Sequence, residues 1–147
     1  MREIEFRGKD DESGKFVYGY YQLERDMRRK APFLLKPSIS WEEDGILFSS
    51  YIIPETLGQY TGLTDKNGTK IFEGDVIKGV AYSSEWVGTV VWINEIASFG
   101  VMYSHRTDPT TIENSSLFKA LRIGMNNEYC AEVIGNIYDN PELLKEH

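Results

Sequence analysis

The sequence predicts a mainly β protein: one domain of short antiparallel strands forming a small barrel or sandwich, with one or two short helices. Three observations carry that expectation. Apolar residues recur with period two in several stretches, as in Arg2–Arg7, where Ile4 and Phe6 alternate with charged side chains. Glycine-containing turn signals separate those stretches at short intervals, the strongest being Asn67-Gly68. The composition, 41% hydrophobic and 13% aromatic with 13 glycines against 5 prolines, suits a folded β-rich chain rather than a disordered one. With 147 residues the chain is long enough to bury a core of its own. Residues 1–53 are expected to hold N-terminal strands and an irregular segment, and residues 54–147 a barrel-like portion.

Each element follows from local pattern. Arg2–Arg7 reads as a strand, Gly8–Gly14 as an acidic loop, and Lys15–Leu23 as a second strand that pairs with the first. On that second strand Tyr18 and Tyr20 share one face and Tyr21 takes the other. Packing between layers is the preferred role for these rings, ahead of an open platform on which bases or sugars stack. From Glu24 to Trp41, Pro32 and Pro37 exclude a regular helix, so an irregular or edge segment is expected. Glu42-Glu43-Asp44-Gly45 is a turn, Ile46–Ile53 a strand stopped by Pro54, and Pro54–Leu57 a single helical turn.

The region Gln59–Gly79 organises the rest of the chain. Asn67 and Gly68 are the two residues that best tolerate positive φ, so a two-residue hairpin turn is expected there. Strands follow over Asp75–Tyr82, Trp86–Ile93 and Phe99–Tyr103. The middle one is apolar on both faces and belongs at a central position. A helix is expected over Ser115–Ile123, with another start at Asp108-Pro109. Ala131–Tyr138 returns to strand character, and Asn140–Leu144 forms a closing helical turn with Asn140 as its cap. The order of glycine, hairpin and Gly88–Trp92 is similar to SH3-like barrels, an analogy of fold that fixes no function.

Charge and cysteine usage narrow the functional classes. The net charge is −7, unevenly spread: residues 1–36 hold 9 Lys or Arg against 7 Asp or Glu, residues 37–147 hold 7 against 16. The later part therefore repels phosphate, and strong nucleic-acid binding is not expected. Arg28-Arg29-Lys30 is the one basic cluster, read as a solvated loop in preference to a phosphate contact. Cys130 is the single cysteine, which points to a reducing compartment and to no disulfide framework. With His105 and His147 the only histidines, no zinc site is expected. No apolar run reaches the ~20 residues of a membrane span, and no signal-type block follows Met1-Arg2-Glu3. A cytoplasmic location is expected, with no membrane association. His147 has the character of an appended terminal residue.

Three constellations carry chemical weight. Glu73 and Asp75, two apart on one strand, would leave the same face about 6.6 to 7 Å apart, near the spacing of paired carboxylates in inverting glycosidases. They would also suit a divalent cation. The preferred reading is structural: Asp75 follows Gly74 and accepts backbone N–H bonds in a turn. Cys130 with His105 would make a nucleophile and base if the fold joined them, but a lone Cys beside Ala131 is more often a small buried hydrophobe. Asp65 near Asn67 imitates a calcium loop without the acidic ligand at its end. No catalytic, cofactor or metal residue is therefore assigned, and no cofactor is expected.

Three blocks carry a resemblance: Met1-Arg-Glu-Ile-Glu-Phe-Arg7, Tyr60-Thr-Gly-Leu-Thr-Asp-Lys-Asn-Gly-Thr-Lys-Ile-Phe-Glu-Gly-Asp-Val76 and Glu132-Val-Ile-Gly-Asn-Ile-Tyr-Asp-Asn-Pro-Glu-Leu-Leu144. In order and character they resemble the YopX family of phage and prophage proteins. The stretch after Arg7 departs from that pattern, with Gly8-Lys9 in place of a small-then-aromatic pair, and residues 24–50 and 104–130 carry no likeness. The resemblance implies a phage or prophage origin, a β-rich fold and expression in a bacterial cytoplasm. It brings no known activity and no catalytic residues. The expected function is a non-catalytic binding or assembly module that meets a protein partner or a second copy of itself. The alternative is an acidic DNA mimic that inhibits a host nucleic-acid-binding protein, which would need its carboxylates on one face at phosphate-like spacing.

Overall fold

The computed structural model describes residues 1–28, 30, 34–81, 84–104, 121 and 130–145. The chain divides into two compact units, Met1–Tyr60 and Thr61–His147. The fold is mainly β and antiparallel, and helical content among the described residues is confined to short turns. Neither sheet closes on itself. No helix among the described residues is long and apolar enough to cross a membrane.

In the first unit, β1 (Phe6–Lys9), β2 (Phe16–Arg25), β3 (Leu35–Glu43) and β4 (Ile46–Tyr51) stand side by side in the order β4-β3-β2-β1, and the start of β5 (Gly58–Thr64) pairs with β1. The first hairpin forms as expected but is displaced: β1 begins at Phe6 and takes in Gly8 and Lys9, which the sequence assigns to a loop. Gly8 belongs in the strand because a Cβ there would stand 2.6 Å from the Ile52 side chain, so only hydrogen fits against this buried residue.

The expected irregular segment is corrected more strongly. Leu35–Glu43 is a central strand between β2 and β4, in spite of Pro37. Pro37 is tolerated because its backbone faces Ile52, beyond the end of β4, and Ile52 N–H still donates to Pro37 O at 3.1 Å. The missing proline N–H thus falls where the ladder is already ending. At the other end Asp44 (φ 50°) and Gly45 (φ 78°) form a two-residue turn with Glu43 paired to Ile46. This is where both central residues take positive φ.

The second unit contains the rest of β5, β6 (Lys70–Phe72), β7 (Asp75–Ala81), β8 (Ser84–Ile93), β9 (Ser98–Tyr103) and β10 (Glu132–Asn136). Four of them form a sheet in the order β10-β7-β8-β9. β8 is internal, as its two apolar faces require, with Val87 and Val90 buried on opposite sides. Ile71, Ile77, Trp86, Val90, Val101, Leu121 and Ala131 make a buried cluster. Trp86 lies across Gly79 of the neighbouring strand, where a Cβ would come within 2.3 Å of the indole. The expected helix at Ser115–Ile123 and the Asp108-Pro109 start lie outside the described residues, save Leu121. The closing turn is present at Pro141–Leu144 with Asn140 at its N-cap position, but the Asn140 side chain makes no cap bond: its Oδ1 accepts from Asn136 N–H at 3.3 Å.

Candidate binding surface

The sequence-predicted sites are mostly structural clamps. Asp75 is buried and its carboxylate accepts the Phe72 N–H at 2.8 Å, the turn role expected of it. The premise of a carboxylate pair on one strand fails, because β6 ends at Phe72 and Glu73-Gly74 is a turn, with Gly74 at φ 85°. Glu73 is half-buried. Cys130 Sγ lies 3.6 Å from Leu121 O, and His105 lies outside the described residues. No group of three His, Cys, Asp or Glu side chains converges among the described residues.

Asp65, dismissed by the calcium-loop comparison, is the organising group of the second unit. It is only 5% exposed. Its Oδ1 accepts the N–H groups of Asn67 (2.8 Å) and Thr69 (2.9 Å), and Oδ2 accepts Val133 N–H of β10 at 2.9 Å. One carboxylate therefore shapes its own turn and ties it to a strand 68 residues away. The legible signal was an Asp two residues before Asn-Gly, where its side chain bonds backbone ahead of it. Backbone bonds complete the turn: Gly68 N–H to Asp65 O (3.0 Å) and Asp65 N–H to Thr69 O (2.9 Å). Gly68 has φ 80°, whereas Asn67 is not at positive φ, so the expected two-residue turn is replaced by a three-residue loop with a left-handed glycine.

Exposure of apolar side chains marks the first unit. Tyr18, Tyr20 and Tyr21 are not packed between layers: all three are exposed, Tyr20 by 72%. Gly19 is the point at which β2 changes partners, since a Cβ there would lie 2.1 Å from Ser40 O. Up to it β2 runs with β1 and beyond it with β3, and a groove of about 260 Å³ is lined by Phe16, Val17, Tyr18, Trp41 and Glu43. The Arg7 guanidinium stacks on the Phe16 ring at 4.6 Å. Alongside, Trp41 stacks on Phe48 with ring centroids 5.8 Å apart, and Ile46, Leu47 and Phe48 of β4 are exposed.

Of the basic cluster, Arg28 is committed to acidic and aromatic neighbours. Arg28 bonds Asp11 (2.8 Å) and Asp26 (3.3 Å), reaches Glu12 (3.5 Å), and lies over the Tyr51 ring at 4.6 Å. Its hydrogen bond to Asp11 raises the guanidinium pKa further and lowers that of the Asp11 carboxyl, to which Lys36 also bonds at 2.6 Å. Lys30 is exposed, and Arg29 lies outside the described residues.

No curated protein matches the chain. Among solved structures, the crystal structure of protein EF1440 from Enterococcus faecalis is similar, with a TM-score of 0.50 at 19% identity, over 98% of this chain and 99% of that one. At that identity the likeness concerns the fold. The family model for the YopX protein matches residues 5–145. Covering nearly the whole chain, that match shows that the chain belongs to the YopX family.

Proposed function

We propose that this chain is a phage- or prophage-derived, non-catalytic binding module acting in a bacterial host cytoplasm, and that its contact surface is the exposed apolar ribbon of the first unit. The observation that supports this reading is the set of open aromatic and aliphatic side chains that the register places on one face of three adjacent strands, Tyr21, Leu23, Leu35, Ile46 and Phe48. Monomeric surfaces expose such residues singly, and grouped exposure accompanies interfaces. The polar groups that resemble catalytic residues are engaged in turns instead.

Affinity capture from a lysogenic host lysate tests it, using the wild-type chain beside Phe48→Lys and Leu35→Lys. The reading expects a specific protein retained by the wild type and lost from the Phe48→Lys column, with melting temperatures alike. Equal retention by both variants would overturn the choice of surface. Retention of a nucleic-acid-binding protein that duplex DNA competes away would replace it with the DNA-mimic reading.

A further inference from the structure

Among the described residues, the outer edge of β4 has no pairing strand. β4 ends the sheet of the first unit, and its pairing with β3 runs without a bulge from Ser38–Tyr51 to Glu43–Ile46. Ile52 N–H bonds Pro37 O, so by antiparallel alternation Ile46, Phe48 and Ser50 turn their backbone groups toward β3, whereas Leu47 and Ser49 turn theirs outward. Among the described residues nothing bonds those outward groups. Beyond them the edge is closed, because Asp11 N–H donates to Tyr51 O at 3.0 Å and Asp10 bridges Ile52. The open stretch Ile46–Ser50 is about 17 Å long. Natural edges carry lysine, proline, a bulge or a covering segment to prevent pairing, and Ile46–Tyr51 carries none of these residues or bulges. Leu47 is 73% exposed.

Charge selects the occupant. Glu42, Glu43 and Asp44 are exposed at one end of the open stretch, and Asp10, Asp11 and Glu12 stand at the other, only partly neutralised by Arg28 and Lys36. A second copy pairing antiparallel about Phe48 would bring its own Asp44 opposite Ile52, against the Asp10-Asp11 segment already bonded there. Acid would face acid. An extended segment of another protein with basic residues flanking a short β-forming core meets opposite charge at both ends. Its alternate side chains would lie beside Ile46 and Phe48 on one face and beside Leu47 and Ser49 on the other.

Resting on the binding-module reading above, we infer that the β4 edge receives a basic-flanked extended segment of a partner protein as an added antiparallel strand. The probe is a labelled synthetic peptide of alternating valine and threonine with two lysines at each end, titrated into the full chain by fluorescence anisotropy at low salt. Ser49→Pro removes an outward N–H while leaving the β3 ladder intact, and should weaken binding at least ten-fold with an unchanged circular dichroism spectrum. Glu42→Lys with Glu43→Lys should weaken it by a similar factor. Should Ser49→Pro disturb the fold, a peptide N-methylated at alternate amides serves against the wild type and should lose binding. Equal binding of glutamate-flanked or N-methylated peptide would overturn the inference. So would a wild-type dimer by light scattering that Ser49→Pro converts to monomer, which would give the edge to a second copy. Failure of the peptide while Phe48→Lys still abolishes lysate capture would sink strand addition and leave the module reading standing.

Discussion

Two turns in this chain have the same chemistry in sequence and opposite solutions in structure. Asp44-Gly45 joins β3 to β4 with both residues at positive φ and nothing within 4 Å of where a Gly45 Cβ would be. Asn67-Gly68 joins β5 to β6 with only the glycine at positive φ, inside a loop shaped by Asp65. The first is held by its strands alone, in an open part of the first unit. The second is held by a buried carboxylate that also carries β10. A dipeptide signal thus fixes that the chain reverses, while the residue preceding the turn decides which reversal forms.

The largest test of this contrast is Asp65→Ala. It leaves three partly buried backbone N–H groups without their acceptor, and should cost about 3 kcal/mol, a melting-temperature drop of about 10 °C. Asp65→Asn retains an acceptor oxygen for the turn but presents an amide toward Val133, and should cost about half as much. The corresponding Asp44→Ala has no side-chain bond to lose. If both Asp65 variants melt like wild type, the carboxylate is not the clamp. Next in size, Gly45→Val and Gly68→Val should each cost about 1 to 3 kcal/mol, because both sites are open and only the backbone conformation opposes the side chain. Denaturant midpoints that separate these two variants widely would show that the turns differ in more than their clamps.

Legibility in the sequence followed how local the cause was. β7, β8 and β9 were readable because their apolar patterns are long and their turn signals lie adjacent. β3 was not, since Pro37 argues against a strand and the reason it fits, the arrival of Ile52 at the end of β4, is a pairing that no local window contains. The tyrosines of β2 failed for a similar reason. Alternation places them on opposite faces, but whether a face is covered depends on what the chain brings there. Asp75 was read correctly from its own turn, whereas the bond from Asp65 to Val133 spans a separation no motif expresses.

A smaller effect should appear with pH. Asp10 is the first unit's counterpart of Asp65: its carboxylate accepts from Ser50 Oγ on β4 and from the N–H groups of Ser13 (2.6 Å) and Glu12 (3.1 Å). The Ser50 bond foremost, then the Ser13 N–H, lowers its pKa from 3.8 to about 2. A depressed carboxylate adds stability that is fully present above the unfolded value and is lost as pH falls through the folded one, so the window here is from about pH 4 down to about pH 2. Carboxyl-carbon NMR should find Asp10 titrating well below the ordinary aspartate value, and Ser50→Ala should move it back up. An Asp10 that titrates near 4 in the wild type would remove it as a clamp.

The smallest predicted difference discriminates most finely between the two turns. If Asn67-Gly68 were the two-residue turn its sequence suggests, Asn67 would occupy the left-handed region, where Asn is among the few side chains accepted, and Asn67→Ala would cost about 1 kcal/mol. In the structure Asn67 is outside that region, and its side chain makes one exposed contact, Nδ2 to Glu132 Oε2 at 3.3 Å. Its replacement by alanine should therefore cost only a few tenths of a kcal/mol. Asp44 is the residue that does sit at φ 50°, so Asp44→Ala should carry the penalty of about 1 kcal/mol, and Asp44→Asn should be neutral or slightly stabilising. Urea midpoints for Asn67→Ala and Asp44→Ala, measured together, read the two backbones directly. A larger loss at Asn67 than at Asp44 would reverse the assignment of the turns and, with it, the role given to Asp65.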